Sequence, residues 1–385
     1  VGFTSQDQLI NDITVLGQYL KATASKITSP AHTAGGWNST FGMNGYPNPT
    51  TYPAAADLVW HACTEQGGDG TTILGIQHGG NVEVGAVTKA GLSVSALAVA
   101  AAGAPWQLKL VDLEGYYRLA TTNVTGTGSR VLINTNTFTA NAGTDVITYT
   151  NDFTTFTKVR FTTTGTLPAG LALNTDYYLI RTGATTATVA ASLSLAVAGT
   201  FIDITDAGTG THTLTIQMRN PNGVGCEAAF VVQTAPATGG PNLTASSYTN
   251  TAGTAGRAFQ GSPTNGAAAD AYATRITHSG NAAGRYGPFL PKQGGDTGIR
   301  SIESFTWSAG TAYTGSGVVA LCVMRPILDI MLPATGALSE RDLVNQIMSM
   351  PKILDGACLG WLMFSTGATT NNSPLTTTLD FAWGG

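Results

Sequence analysis

The sequence predicts a mainly β protein with a few helices, built as a β-sandwich or barrel-like host domain that carries an inserted small all-β module. Three observations point there. Ile299 to Trp307 sets Ile299, Ser301, Glu303, Phe305 and Trp307 on one face, an imperfect alternation that suits a strand. Val318 to Met324 is nearly all apolar, as a strand buried on both faces would be. Across 129–217 short strand-like runs recur between turn residues roughly every 8 to 12 residues, the spacing of an all-β unit.

A chain of 385 residues can bury a full core and hold two or three domains. Charged residues make up 10%, against roughly 25% in ordinary soluble proteins. Solubility therefore rests on Thr, Ser, Asn and backbone groups. The net charge of −4 gives no electrostatic reason to bind nucleic acid. A surface with so little charge loses little solvation when covered, which suits a chain living in a large assembly. Cys63, Cys226, Cys322 and Cys358 are far apart without a C-x-x-C pair, so buried free thiols are expected. Val1 to Ser5 shows neither the basic nor the apolar region of a secretory signal. Val94 to Pro105 is too short to cross a bilayer, which takes roughly 20 residues. The expectation is a soluble protein made in a cytoplasm.

In chain order, Ser5 with Gln8 forms a capping box. Leu9, Ile10, Ile13, Leu16 and Leu20 follow at helical spacing, so a helix is expected over 5–28, ending before Ser29-Pro30. Residues 30–53 form a long loop rich in Gly, Asn and Pro that carries Trp37, Phe41, Tyr46 and Tyr52. Such loops are uncommon without a purpose. Pro53 to His61 reads as a short helix. Thr71 to Val87 and Leu92 to Leu113 read as strands. The clearest, Trp106 to Leu113, puts Trp106, Leu108, Leu110 and Asp112 on one face and Lys109 on the other.

From about 129 the texture changes: Thr becomes frequent and Trp and Cys vanish. Strands are expected at Arg130 to Asn134, Asp145 to Tyr149, Lys158 to Phe161, Tyr177 to Arg181 and Thr211 to Ile216. Asn123 to Gly128 and Arg219 to Gly225 would be the hinges. An unstructured loop of this length would cost about 4 kcal/mol to close, whereas a folded insert with neighbouring ends costs far less. The division is therefore 1–128, 129–217 and 218–385. Cys226 to Gln233 resumes the host as a strand. Pro288 and Pro291 keep the turn at 287–291 out of any ladder interior, and Gly294-Gly295-Asp296 is a further turn. Ser339 to Asp342 looks like the cap of a second helix with Leu343, Val344, Ile347 and Met348 as its apolar face. Leu359 to Phe364 and Thr378 to Trp383 are the last two strands.

No metal, cofactor or catalytic motif stands out, so no enzyme is expected: H-E-x-x-H, G-x-S-x-G and the Walker loop are all missing from the sequence. His32, His61, His78, His212 and His278 each stand alone and read as surface or turn residues. Asp203 to Gly208 lacks the spacing of a calcium loop and reads as a turn. Arg325 and Asp329 interrupt an apolar run and are expected to pair with each other or with neighbours. A polysaccharide-degrading enzyme would need a carboxylate pair; Glu303, Asp296 and Asp329 show no recognisable motif for one.

Tyr248-Thr249-Asn250 with Ala252 to Arg257, then Gly287 to Pro291, Gly295 to Gly298, Arg325-Pro326, Glu340 to Asp342 and Asp355 to Leu359, resemble virion proteins of tailed bacteriophages. The resemblance covers 226–385 and, more weakly, 1–128. Leu167 to Leu171, Asn174 to Tyr178 and Asp206 to His212 resemble a small β-barrel module found in phage structural proteins and similar to a domain of ubiquitin-activating enzymes. That module implies a fold and a phage context and no ubiquitin chemistry. The resemblance implies a structural protein of the virion, assembled in the cytoplasm of a host bacterium. The expected role is decorating or cementing the shell by binding the major capsid protein; the alternative is a tail, fibre or receptor-binding component. A homo-oligomer is expected, a trimer before a dimer, because a capsid lattice offers three-fold sites. Apolar patches are rarely left open on monomers and aromatics are enriched at interface cores. The expected contact residues are Trp37, Phe41, Tyr46 and Tyr52 of the loop and Leu9, Ile13 and Leu16 of the helix. No nucleic acid, membrane, metal or cofactor partner is expected.

Overall fold

A computed structural model describes residues 5–26, 35–40, 57–64, 89–98, 105–120, 128–234, 243–260, 263–264, 275–276, 278–279, 287–307, 317–344, 351–367 and 375–383. It is mainly β, with two short α-helices among the described residues. Helix α1 (Gln6–Thr14) precedes β1 (Tyr19–Lys26), β2 (Gly36–Ser39), β3 (Trp60–Ala62), β4 (Lys89–Ala98), β5 (Trp106–Ala120) and β6 (Gly128–Val131). Next come β7 (Thr135–Asn141), β8 (Val146–Thr148), β9 (Lys158–Thr163), β10 (Tyr177–Gly183), β11 (Thr186–Ala190), α2 (Leu193–Val197) and β12 (His212–Ile216). They are followed by β13 (Glu227–Thr234), β14 (Leu243–Asn250), β15 (Pro263–Thr264), β16 (Arg275–Ile276), β17 (His278–Ser279), β18 (Ile299–Trp307) and β19 (Val318–Leu332). The chain ends in β20 (Ser339–Asp342), β21 (Lys352–Ile353), β22 (Leu359–Ser365) and β23 (Leu375–Trp383).

The host is organised around β5 and β19, which pair along their whole length from Ala120↔Val318 to Trp106↔Leu332. The other partners close a ring: β19 pairs with β13, β13 with β16, β16 with β2, β2 with β22 and β22 with β5. Alternation along each strand then fills the inside and covers the outside. Trp37, Val111, Leu113, Val231, Cys322, Met324 and Leu362 share the ring's interior. On one outer face Trp106, Leu108, Leu110, Ile330, Trp361 and Met363 pack against a sheet ordered β1-β23-β4-β20 through Val94, Leu375, Leu379 and Phe381. On the other, Phe230, Val232, Leu321 and Val323 pack against the sheet β14-β18-β6 through Leu243, Ile302, Phe305 and Trp307. Strands clothed on both faces read as unbroken apolar runs, which is why Val318 to Met324 lacks alternation.

The segment 135–216 forms a second, separately closed barrel, ordered β10-β11-β8-β7-β12-β9. Four of the five strands expected in this region occur within it. The fifth, expected at Arg130 to Asn134, is β6 (Gly128–Val131), which belongs to the host because it pairs with Trp307 to Ser304 of β18. Closure removes every strand edge. The barrel's ends meet where Ile216 N donates to Asn134 O at 2.9 Å. Phe138, Phe161, Tyr177, Leu179 and Leu214 fill it, and its core runs on into Trp60 and Tyr117 of the host.

Three expected helices are corrected. Ser5 caps α1 as expected, accepting from Gln8 N at 3.1 Å. The helix, however, ends at Thr14, and Gly17 at φ +65° turns the chain into β1, which pairs with β23 from Tyr19↔Ala382 to Lys26↔Leu375. A ladder of that length outweighs helical propensity, which is worth only tenths of a kcal/mol per residue. Of Pro53 to His61 the described part is a turn entering β3, with Leu58 at φ +66°. Ser339 to Asp342 is strand β20 on β4, and Asp342 Oδ1 caps a turn at Val344 N, 2.9 Å away, in place of a helix. Ile347 and Met348, like Thr71 to Val87, lie outside the described residues.

Candidate functional site: polar clusters and an apolar face

The expected contact residues separate in space. Trp37 is not on a loop: it sits in β2, 4% exposed, with its ring 5.4 Å from that of Phe364 inside the ring of strands. Phe41, Tyr46 and Tyr52 lie outside the described residues. Leu9 is buried against Leu92 and Ala382, with Ile13 half-buried beside it. Only Leu16 faces solvent, at 56%, joined by Ile10 at 56%, Val15 at 72% and Tyr19 at 41%. The exposed apolar side chains around the end of α1 are thus Ile10, Val15, Leu16 and Tyr19. Helical periodicity mixed residues that hold the helix down, Leu9 and Ile13, with outward ones, Ile10 and Leu16; the two sets separate only once the inner face is fixed.

A dense polar cluster lies where β22 and β3 leave a gap along one flank of β5. On that flank β22 runs to Leu359↔Asp112 and β3 resumes at Ala62↔Gly115. The side chain of Arg219 fills the gap, donating to the carboxylate of Asp112, to Cys63 O at 2.7 Å and to Leu113 O at 3.0 Å. Glu114 is the extra residue of a bulge, since Val323 faces Gly115 and Met324 faces Leu113. Bulges re-aim side chains. Here the carboxylate accepts from Arg219 N at 2.6 Å and Asn220 N at 2.9 Å. Asp112 also accepts from Cys358 N at 3.0 Å, and Arg325 donates to Asn220 Oδ1 at 2.8 Å. Burial pulls the Arg219 pKa down, but Asp112 and Glu114 more than reverse this and leave it above its ordinary value. Gly115 is required by close approach: a Cβ there would lie 2.4 Å from His61 O and 2.5 Å from the Trp60 ring. The expected hinge at Arg219 to Gly225 is therefore the most heavily bonded joint described. A lone Arg in a Gly/Asn segment gives no sign of the carboxylates that meet it from more than a hundred residues away.

A second cluster brings together Tyr248, Asn250, Arg257 and Asp296, four of the residues on which the virion-protein expectation rests. Asp296 accepts from Arg257 Nε at 2.9 Å, from the Tyr248 hydroxyl at 2.5 Å and from Asn250 Nδ2 at 2.7 Å. These donors, Arg257 first, lower its pKa to about 2. Burial, reinforced by Asp296, pushes Tyr248 up to about 12. Asn250 Oδ1 holds the following turn by accepting from Ala252 N at 3.1 Å and Thr254 N at 3.0 Å. Tyr248 stacks on Phe259 with ring centroids 4.7 Å apart. Beside it Glu303 accepts from Thr249 Oγ1 at 2.8 Å. Asp329 binds Lys109 through both oxygens at 2.7 Å and does not pair with Arg325. The carboxylates weighed for glycoside hydrolysis are thus each engaged in bonds that fix the fold.

Two histidines expected at the surface are buried. His61 is 0% exposed, and His212 is 5% exposed, between Thr163 Oγ1 at 2.9 Å and Ala207 O at 3.1 Å. The side chains of His32, His78 and His278 lie outside the described residues. Asp203 to Gly208 makes the expected turn, with Asp206 Oδ1 accepting from Gly208 N at 2.9 Å. All four cysteines are free and buried, and burial raises the Cys63, Cys226 and Cys322 thiols well above their usual range. Among the described residues no group of His, Cys, Asp and Glu is placed to hold a metal ion, and no helix is long and apolar enough to cross a membrane.

Fold and clusters together define a mainly β protein in which a closed barrel joins a ring of strands beside the buried Arg219–Asp112 ion pair. No family model and no curated protein matches the chain.

Proposed function

We propose that the chain is a structural protein of a tailed-bacteriophage virion, decorating or cementing the shell by binding the major capsid protein. One observation carries this reading. The residues that resemble virion proteins meet in bonds that serve architecture: Tyr248, Asn250 and Arg257 on Asp296, Arg325 on Asn220, and Cys358 on Asp112. A motif whose side chains bond one another to fix the fold suits a scaffold. The exposed apolar face of Ile10, Val15, Leu16 and Tyr19 supports association, because solvent-facing apolar patches commonly mark contact sites. The proposed assembly is a homo-oligomer, with a trimer suiting the three-fold sites of a capsid lattice. Quantifying copies per particle by mass spectrometry tests the role. Hundreds of copies are expected of a shell protein; a handful to dozens would move the chain to the tail.

A further inference from the structure

Among the described residues, three cations and no carboxylate line one cleft. Beyond Met324, β19 leaves β13 behind, and its open flank faces β20 and β21 across a cleft of about 240 Å³. Arg325, Arg341 and Lys352 line it, with Pro326, Leu343 and Pro351 among its walls, and no Asp or Glu does. Nine other described cations are placed differently. Lys21, Lys109, Arg118, Lys158, Arg160, Arg181, Arg219, Arg257 and Lys292 each face a carboxylate. In the cleft, Arg325 donates to the neutral amide oxygen of Asn220 and Arg341 to the main-chain carbonyl of Asp329. Of the nearby carboxylates, Asp329 is committed to Lys109, Glu227 to Lys292 and Asp112 to Arg219, while Glu340 and Asp342, which flank Arg341 on β20, do not line the cleft. Like charges gathered in a concave, partly desolvated site raise the local concentration of anions. Guanidinium groups match the oxygens of carboxylate and phosphate.

We propose that this cleft binds an oxyanion, a phosphate or carboxylate group clamped by Arg341 and Lys352, with Arg325 completing the cationic lining. The apolar walls accommodate the stem that carries the group. The site does not depend on the assembly role.

Titration calorimetry on the full chain at low ionic strength tests it, with inorganic phosphate and N-acetylglutamate as the two probes. At least one should bind saturably. Lys352→Gln and Arg341→Gln should each weaken binding about tenfold, as loss of a charge-assisted bond implies, while Lys21→Gln, on β1 at the opposite edge of the sheet that carries β20, changes nothing. Tighter binding of phosphate assigns a phosphoryl source; tighter binding of the carboxylate assigns an acidic protein side chain. Lys352 is exposed, so its variant keeps the test decisive if Arg341→Gln fails to fold. Saturable heat from neither probe, or binding untouched in Lys352→Gln, would overturn the proposal.

Discussion

Arg219 and Asp112 form a buried ion pair where the inserted barrel rejoins the host, their side chains 10% and 3% exposed. The joint expected to bend is the one that clamps. Arg219 also reaches Cys63 O and Leu113 O, so a single side chain ties β3, β5 and the barrel exit together. Removing it leaves Asp112 buried without its cation. Arg219→Leu should therefore cost about 3–5 kcal/mol in urea unfolding. A loss under about 1 kcal/mol would show that the cluster is not what holds this joint.

Asp296 gives a pH signature. Its pKa falls on folding from 3.8 to about 2, first through Arg257 and then Tyr248. The folded value is the lower one, so its contribution is full above the unfolded value and drains away as pH falls through about 2. The difference in urea midpoint between the protein and Asp296→Asn should be constant near neutrality and shrink between about pH 4 and pH 2. A difference that does not change across that window would mean the carboxylate's charge is not what the cluster uses.

Trp37 and Leu16 should behave oppositely. Trp37→Ala opens a cavity inside the ring and should lose about 3–5 kcal/mol of stability. Leu16→Asp lies on the exposed face and should leave the melting temperature nearly unchanged while weakening self-association in sedimentation. Equal destabilisation by both would place Leu16 in the core, against its 56% exposure.

These positions also show how far the sequence reaches. Local signals worked where the chain itself supplies the constraint: the Ser5 cap, the prolines at 287–291 and the closely spaced strands of the barrel. They failed where a distant partner decides. Residues 19–26 and 339–342 carry helical cues, and each is a strand because β23 or β4 offers it a ladder. The strand at Ile299–Trp307 keeps its predicted bounds, yet it buries Ile302 along with Ile299, Phe305 and Trp307. Bulges within the strand itself, at Glu303 and Arg300, shift its register against β14. The clamp of Asp112, Glu114 and Arg219 was hidden for the same reason, since it needs a bulge in β5 and an arginine that follows the barrel in the chain. Cleft and apolar face alike depend on which cations and which helix face are left over after packing.

The barrel is expected to fold alone. Residues 134–217, whose ends meet at Ile216 and Asn134, should give a cooperative melt and dispersed amide resonances. The remainder, closed by a short Gly/Ser bridge that retains β6, should fold with a lower melting temperature because Trp60 and Tyr117 lose neighbours. A remainder without any cooperative melt would make host and barrel one folding unit.

A reconstruction of the intact particle tests the central claim most directly. The shell reading predicts density for this chain at three-fold or quasi-three-fold sites of the head, with the face of Ile10, Val15, Leu16 and Tyr19 covered by another copy or by the major capsid protein. Density confined to the tail, with that face open to solvent, would contradict it.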